Sequence, residues 1–417
     1  VSETRSSTWK WWVTGLLLLA TTINYMDRQT LSLTGKLIRD EFGLSSAKFG
    51  VAEWVFGWSF AAGSVVFGFL ADRLRIYWLY PFVLFGWSLM GLISGYSRDF
   101  NELLVCRGLL GFFEAGHWPC ALKTTFAILN AKERTMGNSV LQSGASIGAM
   151  VTGPLVLWLT ALDGGSWRLA FIAVGCVGIL WLVPWFLSIK KSDLQEPSQL
   201  PTEPRTLLWP HLISKRFWAL ALLILGTQIC WHVFRVWLPM FMEEGRGYSR
   251  EETAWYNALY FAFTDVGCFC AGFLSLWLIQ KRGHTPHSAR RWVYGLSCVL
   301  TSTSLLVGSL GKGPMLIVVL LIVGMGALAL FPCYYSYVQE LSTSHVGRLT
   351  GVLSAWVWLV SSPIHWVFGA IKDKTGSYDT GLMICGLAPW IGVIAMKLLW
   401  TKDPTVPSTA SSPSHAH

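Results

Sequence analysis

LLVCRGLLGFFEAGHWPCALKTTFAIL, residues 103 to 129, is the stretch that decides how this chain folds. It is apolar and long enough to cross a bilayer, yet it carries Arg107, Glu114, His117 and Lys123. A charge at mid-bilayer depth costs roughly 2.5–3.5 kcal/mol on insertion scales, so it faces a partner or a wet cavity rather than lipid. Arg107 and Glu114 are seven residues apart, about two helical turns and roughly 10.5 Å, and lie on one face. A second apolar run, residues 11–33, holds Asn24, Tyr25, Asp27 and Arg28. Two charged helices in one half of a membrane protein point to a polar site between helices.

The surroundings of these runs are of the same kind. Of 417 residues, 53% are hydrophobic and 13% charged, about half the charge of a soluble domain, and the mean hydropathy is +0.47. The reading is an all-α polytopic membrane protein. Its net charge of +9 does not indicate nucleic acid, because the basic residues sit in short loops between apolar runs. The nine cysteines are scattered without metal-ligand spacing and are read as small packing residues, Cys106, Cys120, Cys176, Cys268 and Cys270 among them; no metal and no cofactor is expected. The first run is too long for a signal peptide, lacks a small-residue cleavage site, and carries Asp27 and Arg28. No GxxxxGK[ST] loop provides for ATP, and no clustered nucleophile, base or metal pair marks an enzyme.

Twelve spans fall near residues 11–33, 49–70, 77–96, 103–129, 136–160, 167–189, 217–242, 253–280, 292–310, 315–338, 351–371 and 381–400. Residues 190–216, with Pro197, Pro201, Pro204 and Pro210, read as a cytoplasmic linker between a six-helix half at 9–189 and another at 217–400. The Ser- and Pro-rich residues 401–417 read as a disordered cytoplasmic tail. Placing the N-terminus in the cytoplasm puts about 18 Lys and Arg inside and about 10 outside, and an even span count returns the C-terminus to the same side. An internal repeat supports two halves. Trp118-Pro119-Cys120 precedes Arg134-Thr135-Met136-Gly137, and Phe331-Pro332-Cys333 precedes Arg348-Leu349-Thr350-Gly351 at nearly the same spacing. At the offset of Arg107 and Glu114 the second copy has Leu320 and Ala327, so the charge chemistry sits mostly in the first half.

Several spans carry polar stripes. The first has Thr21, Asn24, Tyr25, Arg28 and Ser32, with Asp27 at the edge; the seventh has Gln228, His232 and Arg235. The eighth adds Asn257, Thr264 and Asp265, the tenth Tyr334, Tyr335 and Tyr337, the eleventh Ser354, Ser361, Ser362 and His365. The third, sixth, ninth and twelfth are nearly featureless, which suits a central cavity lined by eight helices and braced by four. Arg28, with its planar fork, is the first choice for an anionic substrate. Arg107 and Arg235 serve substrate or structural pairing, and Asp265 is the expected charge partner of Arg235. Asp27 and Glu114 would exchange protons as nearby arginines change partner, coupling proton to anion movement. For His117, His232 and His365 a helix-to-helix hydrogen bond competes with a ligand role. The tyrosines, Tyr334 among them, are read either as packing or as a sugar-binding wall. Lys123 either lines the exit path or snorkels to the interface. Gly144 and Gly148 permit close helix packing.

Gly68-Phe69-Leu70-Ala71-Asp72-Arg73-Leu74-Arg75 resembles the loop between the second and third helices of the major facilitator superfamily, short of a Gly and one basic residue. Asn24-Tyr25-Met26-Asp27-Arg28, with Arg107-Gly108-Leu109-Leu110-Gly111-Phe112-Phe113-Glu114-Ala115-Gly116-His117-Trp118-Pro119, resembles that superfamily's anion:cation symporter branch, particularly bacterial hexuronate and sugar-acid transporters. Trp237-Leu238-Pro239 and Asp373-Lys374-Thr375-Gly376-Ser377-Tyr378 fit the same branch. The resemblance implies a twelve-helix, two-half fold and inward proton symport of an organic anion, a hexuronate, aldonate or related sugar acid. Asp27 and Glu114 would carry the protons, Arg28 would hold the substrate carboxylate, and Arg107 would partner the acids. Around them Asn24, Tyr25, His117, Gln228, His232, Arg235, Tyr334 and Ser361 would form the binding site. Arg235 and His232 stand where close hexuronate transporters are expected to have neutral or aromatic residues, which leaves room for another acid or one with more negative charge. The alternative is a proton-independent exchanger or facilitator of dicarboxylates or other anions. The expected setting is the inner (plasma) membrane, as a monomer whose partners are the bilayer, protons and a small organic anion, and no nucleic acid.

Overall fold

In lipid every backbone N–H and C=O must be satisfied within the chain, and local helix does this for a run of apolar residues. The computed structural model describes residues 6–129, 134–194, 212–341 and 346–400, and helix dominates throughout. The helices are α1 (Ser7–Leu33), α2 (Gly35–Phe42), α3 (Ser46–Arg73), α4 (Ile76–Ser94), α5 (Phe100–Glu114), α6 (His117–Ile128), α7 (Arg134–Leu162), α8 (Arg168–Leu180) and α9 (Leu182–Ser188). After the expected linker come α10 (Lys215–Met240), α11 (Arg250–Arg282), α12 (Pro286–Ser302), α13 (Pro314–Leu341), α14 (Val346–Ser361), α15 (Ile364–Thr375), α16 (Asp379–Leu387) and α17 (Trp390–Leu399). Short polar loops punctuate them. Ser45 accepts from the Lys48 N–H to start α3, Asp99 from Asn101 and Glu102 to start α5, and Ser249 forms a capping box with Glu252 at α11.

Ten helical segments among the described residues are long and apolar enough to span a membrane. Two of the twelve expected spans are not among them. One is α1, diluted by its polar stripe. The other is residues 103–129, which the structure divides at Ala115–Gly116 into α5 and α6, of 15 and 12 residues. The repeat is therefore imperfect: Pro119 opens the separate α6, whereas Pro332 lies inside an unbroken α13. Of the linker, Lys191–Leu194 form one 3-10 turn, and 195–211 lie outside the described residues, as does the expected tail from 401.

α1 packs along α7 and touches α8, α3 lies on α5, and α4 on α5 and α8. After the linker, α10 meets α13 and α17, and α13 also meets α11 and α12. The two sets join through α3 against α14 and α15, α7 against α11, and α1 against α10. Gly144 and Gly148 let α7 lie on the backbone of α1: a Cβ at Gly144 would come within 2.5 Å of the Leu18 carbonyl, and one at Gly148 within 3.0 Å of the Tyr25 Cβ. Of the cysteines read as packing residues, Cys106 and Cys120 are buried, but Cys176 and Cys270 are exposed on the outer surface of the bundle, where an apolar side chain meets lipid at no cost.

One end of the molecule is closed by polar contacts between the sets. Arg39 on α2 donates to Glu244 at 2.8 and 3.0 Å and to the Tyr378 hydroxyl at 3.1 Å, and that hydroxyl donates to Glu244 at 2.7 Å. The Asp373 carboxylate accepts from the Ser46 and Ala47 N–H groups, at 2.9 and 2.8 Å, capping the first turn of α3 from the second set.

Candidate functional site

The site forms where α1 and α3 face α10 and α14. Arg28, five residues before the end of α1, is 4% exposed, and its Nε donates to Glu114 Oε2 at 2.7 Å. Four aromatic rings surround its guanidinium: Tyr25 at 5.3 Å, Phe56 and Phe60 at 5.2 Å each, and Trp358 at 5.7 Å. Trp358 comes from the second set, so the box is completed only when the sets meet. A guanidinium is weakly hydrated and stacks on aromatic faces, which makes such a box a place where Arg stays charged away from bulk water. Arg28 Nη2 and Glu114 Oε1 have no hydrogen-bond partner among the described residues. The pair therefore has donor and acceptor capacity left over.

Arg107 does not share Glu114's hydrogen bond. Its Nη2 donates to Glu53 Oε1 at 3.0 Å, and Arg235 Nη2 donates to Glu53 Oε2 at 2.8 Å. Glu53 and Arg235 are each 1% exposed and Arg107 is fully buried. This corrects the expected pairing of Arg235 with Asp265. Asp265 instead accepts from the Ser146 hydroxyl of α7 at 2.5 Å, because α11 packs on α7 while α10 faces α3. Deleting one partner of a buried pair costs roughly 3–5 kcal/mol because it strands the other charge, so both arginines depend on Glu53 for neutralisation. The sequence reading passed over Glu53. The signal was there: a single carboxylate in the apolar run 49–70, flanked on its face by Gly50 and Gly57, should face a partner. Phe56, Phe60 and Trp358 carried no comparable signal.

The remaining candidates divide. Asp27 points away from Arg28, toward α4, where a Cβ at Gly91 would come within 2.7 Å of its Oδ1. It is buried, and neither carboxylate oxygen has a hydrogen-bond partner among the described residues. The Asn24 side-chain amide is likewise buried without a partner, as is Gln228 Oε1. Both nitrogens of His117 are engaged, by the Thr21 hydroxyl at 3.0 Å and the Tyr80 hydroxyl at 3.0 Å. In this state it ties α6 to α1 and α4 and offers nothing to a ligand. His232 accepts from Arg235 Nε at 3.4 Å and lies on the Trp358 ring, at 4.6 Å between centroids. His365 accepts from Trp237 Nε1 at 3.2 Å. Tyr334 is buried beside Tyr335, whose ring is 5.2 Å away, and Ser361 is buried at the end of α14. Lys123 reaches the Ala71 carbonyl at 2.7 Å, where it satisfies an acceptor in the last turn of α3. Among the described residues no group of His, Cys, Asp or Glu is arranged to hold a metal.

The site thus offers three guanidinium groups, two carboxylates bound to them and one carboxylate, Asp27, set apart. It can receive an anion and trade ion-pair partners.

The family model described as Major Facilitator Superfamily matches residues 17–364. The chain is 24% identical over 384 residues to the hexuronate transporter of Escherichia coli, covering 88% of each. It is 25% identical over 430 residues to the probable galactarate/D-glucarate transporter of Bacillus subtilis, covering 94% of this chain and 91% of that one. Among solved structures, a bacterial homolog of the human lysosomal transporter Spinster, in an inward-facing and occupied conformation, superposes with a TM-score of 0.75 at 20% identity, over 95% of this chain and 97% of that one.

Proposed function

From the premise that this chain belongs to the Major Facilitator Superfamily, and so has a transporter fold, we propose that it is a secondary transporter of small organic acids of the sugar-acid class, driven by protons. The observation that carries this reading is the Arg28–Glu114 pair inside a ring of aromatic side chains drawn from both sets. A carboxylate substrate matches the fork of Arg28, and the aromatic walls suit the C–H faces of a sugar acid. When the substrate carboxylate takes Arg28, Glu114 loses its cation in a low-dielectric site and takes up a proton, so that charge stays balanced. Asp27, buried without a donor, is the second proton carrier. The hexuronate and galactarate/D-glucarate names printed for the relatives favour this substrate class over others.

We count twelve spans in two six-helix halves by adding α1 and the broken α5–α6 to the ten apolar segments. The chain then works as a monomer in the inner membrane with both termini in the cytoplasm, by rocking of the halves about the midplane site. On that orientation the Arg39–Glu244–Tyr378 and Asp373 contacts shut the outer side.

A thermal-shift screen of the purified protein against D-glucuronate, D-galactonate and D-glucarate tests the site. We expect stabilisation by at least one acid, and its loss in Arg28→Ala. Stabilisation retained in Arg28→Ala overturns the role of Arg28. Uptake into proteoliposomes should rise under an imposed inward proton gradient; uptake indifferent to the gradient replaces symport with exchange or facilitated diffusion.

A further inference from the structure

Gly50, Glu53 and Gly57 are three and four residues apart and share one face of α3. That face is pressed against the second set. A Cβ at Gly50 would overlap the His365 carbonyl, and one at Gly57 the Ser362 hydroxyl. The two glycines bring the α3 backbone close enough for the Glu53 side chain to enter the second set and reach Arg235 at 2.8 Å. The other Glu53 oxygen stays with Arg107, which belongs to the same set as α3. Beside the pair, the Ser32 hydroxyl donates to the carbonyls of Arg235 and Val236, at 2.9 and 2.6 Å. Glu53 is therefore the one carboxylate of the site whose two oxygens are divided between the sets.

These contacts lie in the interface that has to part when the closed end opens. A guanidinium does not give up its proton, so a parting that strips Glu53 from Arg235 leaves a permanent charge that needs another anion. We propose that Glu53 is an inter-set switch. It neutralises Arg107 and Arg235 while the closed end is shut. On opening it leaves with Arg107 and surrenders Arg235 to a second acidic group on the incoming substrate. This rests on the transport reading above and adds to it the substrate class: an organic acid with two acidic groups, one for Arg28 and one for Arg235. A single-carboxylate acid satisfies Arg28 alone and leaves Arg235 to pull Glu53 back.

The switch is tested without any substrate through Met240, which is 1% exposed at the closed end and would lie 3.1 Å, at its sulfur, from a Cβ at Gly35. In the full chain, a cysteine in the Met240→Cys variant is alkylated only when that end opens, the native chain giving the background. Adding Glu53→Gln should raise its labelling several-fold. Adding Arg235→Gln should do the same, and the double variant should exceed neither single by more than its error. Unchanged labelling in Glu53→Gln overturns the switch. The substrate class is tested in proteoliposomes with D-glucarate as diacid and D-galactonate as monoacid. Arg235→Gln should lower the diacid-to-monoacid ratio of kcat/KM by about tenfold, the weight of one charge-assisted contact. Equal loss for both acids overturns the second acidic group while leaving the switch standing. If the native chain takes up neither acid, the transport reading fails for this class, and the labelling result still decides the switch.

Discussion

The Phe56 ring lies close to two guanidinium groups, 4.7 Å from that of Arg107 and 5.2 Å from that of Arg28. Its π-system attracts both cations, while each arginine takes a different carboxylate, Arg107 pairing with Glu53 and Arg28 with Glu114. Adjacent residues are also sorted by direction: Arg28 looks into the aromatic box and Asp27 toward Gly91 on α4. Outside the apolar runs a single residue again gathers several donors. Glu41 on α2 accepts from both terminal nitrogens of Arg168, at 2.8 and 2.7 Å, and from Trp167 Nε1 at 2.7 Å. Those donors, the Arg168 hydrogen bonds first, hold the Glu41 carboxyl below its ordinary value of 4.5. A lowered carboxyl stabilises the folded state above its unfolded value and loses that contribution as pH falls through the folded one. Because the pair is part-exposed and screened, Glu41→Gln should cost only about 0.5 kcal/mol near neutral pH. The gap in thermal midpoint between the two proteins should close on acidification below pH 4.5; a gap that persists unchanged would assign the cost to lost packing instead.

At the scale of helices, α1 matters most because it carries Asn24, Tyr25, Asp27, Arg28 and Ser32, and its seat on α7 sets where they point. Gly15 and Gly144 give opposite expectations for the same substitution. Gly15 has open space around its Cβ position, so Gly15→Ala should gain up to about 1 kcal/mol of helix propensity. Gly144→Ala would strike the Leu18 carbonyl at 2.5 Å and should lose roughly 1–3 kcal/mol by overpacking, despite the same gain. Thermal midpoints of the two variants check this, and a stabilised Gly144→Ala would mean that α1 is free to shift. The break at Ala115–Gly116 is the other decisive element feature. A Cβ at Gly116 would meet Val83 at 2.8 Å and the Phe67 ring at 3.0 Å, so α3 and α4 leave little room for a side chain at the break between α5 and α6.

On the scale of the whole molecule, closure at one end depends on few polar contacts set in a wide apolar interface. Asp373 is the clearest: its carboxylate supplies acceptors to two N–H groups of α3 that no helical carbonyl can reach. Asp373→Ala should therefore cost about 1 kcal/mol, as the loss of an N-terminal cap does, and raise the rate at which that end opens. Single-molecule distance measurements between the ends of α3 and α15 would show it; an unchanged open population would make Asp373 a local cap only. Multiple membrane crossings, and a concentration of charge near residues 24–28 and 107–117, were legible from the sequence alone, because intramembrane charge and apolar length are local costs. The sequence also made Asp27, Arg28, Arg107, Glu114 and Arg235 conspicuous. Which of them pair was left to the tertiary structure. Arg235 goes to Glu53 and not Asp265, Asp27 turns from Arg28, and His117 spends both nitrogens inside the first set. Pairing depends on which helix faces meet across the two sets, and that is fixed by glycine-to-backbone approach and aromatic packing between residues hundreds of positions apart, which no local spacing encodes.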